Sequence, residues 1–269
     1  CNTRPGPPIE GSPGIRGRLP LRSKTKKSTE SVYANAPLEL DRVRTYPLGS
    51  RLSKVSVKDF ANVTRPDASV VEWARSLPRI LAGNDFRGVV AALERARRKR
   101  KPIIWGLGGH VIKCGLSPIL IDLMKQGYVT ALAMNGAALI HDFEIALVGA
   151  TSEDVPAVLG RGQFGMAEET GRFIHEAISQ GDRDGLGIGE AVGRFLVRYP
   201  GARHHRHSLL AAAYRHRIPV TVHMAIGTDI IHTHPATDPR ALGAATHRDF
   251  RLLAALVAKM DGGVYLNVG

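Results

Sequence analysis

Four short apolar runs, each followed by turn residues, constrain the fold of this chain more than any other feature. They occupy residues 102–107 (Pro-Ile-Ile-Trp-Gly-Leu), 129–134 (Val-Thr-Ala-Leu-Ala-Met), 219–224 (Pro-Val-Thr-Val-His-Met) and 263–268 (Gly-Val-Tyr-Leu-Asn-Val). Runs of this length are too short for a globular helix and read as buried strands. Most of them are apolar rather than alternating, which suits a parallel sheet covered on both faces. Between the first two, Gly108 and Gly109 lead into a helical pattern carrying Ile119, Leu120, Leu123 and Met124 that ends near Gly127. Strand, glycine turn, helix and strand make a βαβ crossover.

The rest of the chain fills in around these runs. Val89, Ala92, Leu93 and Ala96 have helical spacing, and Arg95, Arg97, Arg98 and Lys99 place positive charge at that helix's C-terminal end, where its dipole favours it. Residues 151–216 read as mostly helical. One stripe runs through Phe164, Ala167, Ile174, Ala177 and Ile178, and another through Ile188, Val192, Phe195 and Leu196. Thr151 and Asp154 have the spacing of a helix cap. Phe250, Leu253, Ala254 and Val257 mark a last helix before the final run. The expected class is α/β, with a Rossmann-like parallel sheet, helices on both faces, and Trp73 and Trp105 in the core.

The N-terminal end differs in kind. Residues 1–35 are rich in Gly, Pro, Ser and basic residues without apolar periodicity, and are expected to form a disordered basic arm ahead of a folded domain at 36–269. Residues 1–60 carry twelve Lys and Arg against five Asp and Glu, which accounts for +7 of the formal net charge of +13. Such a tail can attract polyanions, but no interleaved aromatic residues accompany it, so nucleic acid is not the expected partner. Cys1 and Cys114 make no disulfide framework and no zinc spacing. The first thirty residues hold no apolar stretch, and no uncharged run is long enough to span a bilayer. A reducing, cytoplasmic setting is expected. The chain starts with Cys1 and stops at Gly269 directly after an apparent strand, the pattern expected of a fragment.

In a sheet of this kind ligands bind beyond the carboxyl ends of the strands. The segments leaving those ends are Gly106–His110, Asn135–Asp142, Ala225–His234 and Asn267–Gly269. Glycines there let backbone amides approach a phosphate or ribose, although no GxGxxG fingerprint and no P-loop is present. His141, Asp142 and Glu144 fall early in a helix that should be buried. They need partners, which a ligand or a capping network could supply. Asp229, His232 and His234 cluster after the third run. Metal binding by the two histidines is the weaker use of this cluster, and no metal site is assigned. Cys114 reads as a packing residue early in a helix, and His204, His205 and His207 as solvated surface.

Taken in order, these segments resemble deoxyhypusine synthase and its relatives. Gly108–Gly115 stands in the place of that family's first NAD-pocket turn. Asn135-Gly-Ala-Ala-Leu-Ile-His-Asp is similar to its Thr-Ala-Gly-Gly-Ile-Glu-Glu-Asp segment. Gly227-Thr-Asp229 with His234 resembles its Gly-Ser-Leu-Gly-Asp stretch and following His, and Asp261-Gly-Gly-Val its Gly-Gly-Gly turn. The resemblance spans roughly residues 50–269. It implies a homo-oligomeric, NAD-binding transferase acting on an amine. Its cofactor residues would be Gly108, Gly109, Asn135, Gly136 and Ala137, and Asp229 and His234 would bind the substrate amine. His141 or Asp142 would be the catalytic acid or base. His141 stands where the family has Glu, Asn267 where it has a substrate-contacting His, and the family's catalytic lysine would lie past Gly269. His141-Asp-Phe-Glu144 is also similar to a His-Asp-Ile-Glu segment of NAD-dependent ornithine cyclodeaminase-type proteins. The expected activity is NAD-dependent oxidation of an amine or amino acid, with the imine transferred or hydrolysed. The alternative is a non-catalytic nucleotide-binding or assembly protein of the same fold.

Overall fold

A computed structural model describes residue 38 and residues 40–269, so the expected arm at 1–35 lies outside the described residues. The chain divides into two units, 1–54 and 55–269. In the first, the described part contains the 3₁₀ turn Leu48–Ser50.

The second unit is built on four parallel strands: β1 (Ile103–Leu107), β2 (Ala131–Asn135), β3 (Val220–His223) and β4 (Val264–Val268), in the order β3-β2-β1-β4. Helices α1 (Val70–Ser76) and α2 (Leu81–Arg98) precede the sheet. The β1–β2 crossover carries α3 (Gly109–Lys113) and α4 (Ser117–Lys125). The long β2–β3 connection carries α5 (Gly136–Val148), α6 (Val155–Leu159), α7 (Glu168–Arg183), α8 (Ile188–Arg198) and α9 (Leu209–His216). Between β3 and β4 lie the 3₁₀ turn Ile230–Thr233 and α10 (Pro239–Val257). The strands step outward from β1 to β3, and then β4 returns to the other side of β1. That reversal makes the β1–β4 boundary the topological switch point, where ligands of such sheets bind. β1 and β4 pair from Ile103–Val264 to Leu107–Val268, so both strands end level at this crevice.

Burial follows position in the sheet. Ala131–Met134 of β2 are all buried, as a strand covered on both faces requires. β4 is different. It alternates, with Tyr265 and Asn267 exposed, so one face of this edge strand is open. α5 is the central helix and is buried nearly all round. Phe143 is fully covered and stacks on Phe195 of α8 at 5.9 Å, and Phe195 in turn stacks on Tyr199 at 5.1 Å. α5 stops at Gly149, whose φ of 72° is the left-handed geometry of a helix C-terminus.

Several local expectations are corrected. Trp73 is half exposed, whereas Trp105, half-buried, does pack against the core, with its indole N–H donating to the Tyr128 carbonyl at 2.9 Å. Cys114 is exposed and caps the C-terminal end of α3 rather than packing early in a helix. Phe164 lies outside α7 and is exposed. Thr151 and Asp154 do not form the expected cap: Asp154 precedes α6 without a side-chain bond, and Thr151 turns to α5 instead. His204, His205 and His207 are half-buried rather than solvated.

Candidate functional site

The sheet brings the glycine turn after β1 against the start of α5. A side chain built on Gly109 would lie 2.9 Å from His141 Cδ2 and 3.4 Å from Ala137 Cβ, so these three residues form one contiguous wall. Gly106 is also fixed by packing, since a side chain there would meet the Tyr265 hydroxyl at 2.5 Å. Gly108 is not. A side chain on it would meet only Gly269, with Cα at 3.4 Å, and its backbone φ of −94° is ordinary. Just beyond it, the first amides of α3 have no partner within the helix, and His110 and Lys113 add positive charge nearby, felt at His141.

At the end of β2, Asn135 caps α5, its Oδ1 accepting from the Ala138 amide at 2.9 Å. Asn135 is exposed, and its side-chain amide donors have no hydrogen-bond partner among the described residues. The next residue is closed off. The Asp229 carboxylate packs so tightly on Gly136 that an added Cβ would sit 2.3 Å from its Cγ. Gly136 thus serves the approach of Asp229, and an anionic side chain already covers the N-terminus of α5. Of the five expected cofactor residues, Gly108, Gly109 and Asn135 remain free to face a ligand. Ala137 backs Gly109, and Gly136 lies under Asp229.

Asp229 carries the site's main unsatisfied group. Its Oδ2 is buried without a hydrogen-bond partner among the described residues, and burial pushes its pKa up, against the opposing charge of His232. A neighbour on the same 3₁₀ turn shares this state: His232 Nδ1 accepts from the Gly227 amide at 3.0 Å, while Nε2 is buried and unpartnered. A buried carboxylate oxygen without a donor is a group waiting for one.

His234 was expected to join Asp229, but the structure turns it away. The intervening 3₁₀ turn carries it under α7, against Gly171, where its Nε2 lies 3.3 Å from Glu168 and its Nδ1 accepts from the Ala236 amide at 3.1 Å. Both ring nitrogens are occupied. His232, and not His234, is the histidine beside Asp229. Among the described residues no three His, Cys, Asp or Glu side chains are grouped to hold a metal ion.

The two acid/base candidates on α5 separate as clearly. Asp142 is fully buried and serves the start of α9. Its Oδ1 accepts from the Leu209 amide at 2.7 Å, and its Oδ2 from the Leu210 amide at 3.1 Å and the Ser208 hydroxyl at 2.6 Å. That is the capping network, and it leaves Asp142 no path to a substrate. His141 is half-buried, with its Cδ2 edge toward Gly109. Its Nδ1 is 2.7 Å from the Thr151 hydroxyl, which donates to Glu144, and Thr170 also donates to Glu144 at 3.2 Å. Burial lowers the His141 pKa; Glu144 opposes this, while Lys113 and His110 add to it.

No protein-family model matches this chain, and no curated protein matches it by sequence. Solved structures do. ArgZ, an arginine dihydrolase from the ornithine–ammonia cycle in cyanobacteria, is 18% identical with a TM-score of 0.43, over 71% of this chain and 25% of its own. A conserved LOR/SDH protein from Methanococcus maripaludis S2 is 16% identical with a TM-score of 0.42, over 69% of this chain and 50% of its own. AgrE, solved with ornithine and NAD+, is 19% identical with a TM-score of 0.39, over 65% of this chain and 23% of its own. The chain thus spans from about a quarter to a half of these proteins. None of them fixes the chemistry of this one.

Proposed function

We propose that this chain is the NAD-binding part of an enzyme that oxidises an amine or amino acid, with residues 36–269 as its cofactor domain. The observation that carries the reading is the pairing of an open glycine turn at the sheet's switch point with a buried, unpartnered carboxylate oxygen on the same sheet edge. The residues fit the cofactor. The Gly109 amide, without a partner among the described residues, lies beside His110 and Lys113, as a pyrophosphate requires, while the Gly108 amide donates to the Val268 carbonyl at 3.2 Å. Asn135, at the end of the neighbouring strand, can donate to a ribose hydroxyl. When bound, NAD supplies hydride acceptance, which oxidises the carbon bearing the substrate nitrogen.

The side chains would do the rest. An ammonium is the donor that Asp229 Oδ2 lacks, and the negative charge selects a cation. The ammonium must give up a proton for the oxidation to proceed. His141, on the same wall as Gly109, is the acceptor, its lowered pKa keeping the ring neutral near pH 7.

A panel of amines and basic and neutral amino acids, followed by NADH absorbance, tests the reading. The wild-type chain should turn over at least one amine. Asp229→Asn should weaken amine binding by one to two orders of magnitude, corresponding to about 1.5–3 kcal/mol for a charge-assisted bond, while leaving NAD binding unchanged. Equal loss of both ligands would remove Asp229 from the substrate site. NAD binding without turnover of any amine would favour a nucleotide-binding protein without chemistry.

A further inference from the structure

We propose that Thr151 and Glu144 are positioning residues that fix the proton of His141 on Nδ1 and so make Nε2 the proton acceptor of the site. This deepens the reading above and rests on it for its catalytic meaning, although the proton's position can be tested without any substrate. The argument is one of donors and acceptors. An ionised carboxylate only accepts, so Glu144 takes protons from both hydroxyls that reach it, Thr151 and Thr170. A hydroxyl has a single proton. Thr151 has given its own to Glu144, so at 2.7 Å from His141 Nδ1 it can only accept. The proton of the neutral ring is therefore on Nδ1, and the lone pair is on Nε2.

The geometry turns that lone pair the right way. Nε2 is bonded to Cδ2, the ring edge that approaches Gly109. It has no hydrogen-bond partner among the described residues and is not sealed from solvent. The residues come from separate parts of the chain: His141 and Glu144 lie one turn apart on α5, Thr151 follows the helix, and Thr170 sits on the first turn of α7. Thr170 is buried, and Glu144 lines a cavity of about 270 Å³ with Thr151, Glu153 and Ile230. The charged and titratable groups acting on the ring are Glu144 from its own helix and Lys113 and His110 from α3. Once the ring takes a proton at Nε2, the imidazolium keeps its Nδ1–H bond to Thr151, and the ion pair with Glu144 through that hydroxyl stabilises the charge. Second-partner control of a histidine tautomer is a general device.

Nitrogen-15 spectra of the histidine rings in the full chain, with the His141 signals assigned from a His141→Gln variant, read the tautomer directly. The wild-type ring should show a protonated Nδ1 and an unprotonated Nε2 at a pH above its titration. Thr151→Val keeps shape and removes the hydroxyl. It should let the Nε2–H form become populated and lower the His141 pKa, and Thr151→Ser should restore both. A wild-type ring protonated on Nε2 would overturn the proposal, as would a Thr151→Val ring indistinguishable from wild type. Because the spectra need neither NAD nor an amine, failure of the amine assay with the predicted tautomer present would count against the enzyme reading alone.

Discussion

Replacing Asp142 by Asn should change how stability depends on pH, and the size of the change follows from where its carboxylate sits. Asp142 is fully buried at the start of α9, and burial pushes its pKa from 3.8 up to about 6, against the bonds from Ser208, Leu209 and Leu210. An acid whose pKa is higher in the folded than in the unfolded state holds its proton more tightly when folded. Its contribution is therefore complete below the unfolded value near pH 4 and is lost as pH rises through about 6. A shift of about two units at roughly 1.4 kcal/mol each is about 3 kcal/mol. Asparagine cannot ionise and escapes this loss. It keeps an acceptor for the Leu209 amide but offers an NH₂ where Oδ2 received the Leu210 amide and the Ser208 hydroxyl, a loss of about 1–3 kcal/mol at every pH. Urea unfolding of both chains from about pH 4 to pH 7 should show the variant clearly weaker at the acid end. The difference should move by about 3 kcal/mol in the variant's favour toward neutrality, closing the gap or reversing it. Asp249, whose pKa burial also raises to about 6, is common to both chains and cancels in the difference. Parallel curves, with a gap constant over that range, would refute the reasoning.

Two further substitutions probe the packing of the site. Gly136→Ala should cost about 1–3 kcal/mol by forcing the Asp229 carboxylate off the start of α5, and adding Asp229→Ala should recover most of it in a thermal-melt double-mutant cycle; additive losses would show that the two do not touch. Phe143→Ala empties a fully buried ring site beneath the α5–α8 aromatic stack and should cost about 3–5 kcal/mol in urea unfolding, whereas a loss under about 1 kcal/mol would mean that α5 is not the central helix.

The strands were legible because each buried run is apolar, short and punctuated; all four lie within two residues of the places read from the sequence. The order with β4 beside β1 was not, since nothing in a run of Val, Tyr and Leu says which neighbour it will pair with. The exposed face of β4 did leave a trace in the alternation of Val264, Tyr265, Leu266 and Asn267. At the site, Gly109, His141 and the Gly136–Asp229 approach come together because all leave the same sheet edge. The role of Asp142 was hidden because its partners are 66 to 68 positions away. Ser208 caps α9, its hydroxyl accepting from the Ala211 amide at 3.0 Å, but nothing near it in sequence points to its carboxylate partner. Spacing alone does not separate His232 from His234; the 3₁₀ turn Ile230–Thr233 brings His232 beside Asp229 and turns His234 away.

The central claim is that NAD binds at the open glycine turn between β1 and β4. Calorimetric titration of NAD into the full chain, wild type beside Gly108→Val, tests it most directly, because a Cβ at Gly108 meets protein no closer than an ordinary contact, 3.4 Å to Gly269 Cα. The account predicts saturable heat with the wild type and none with the variant, at equal melting temperatures. No heat with the wild type, or equal binding by both, would contradict it.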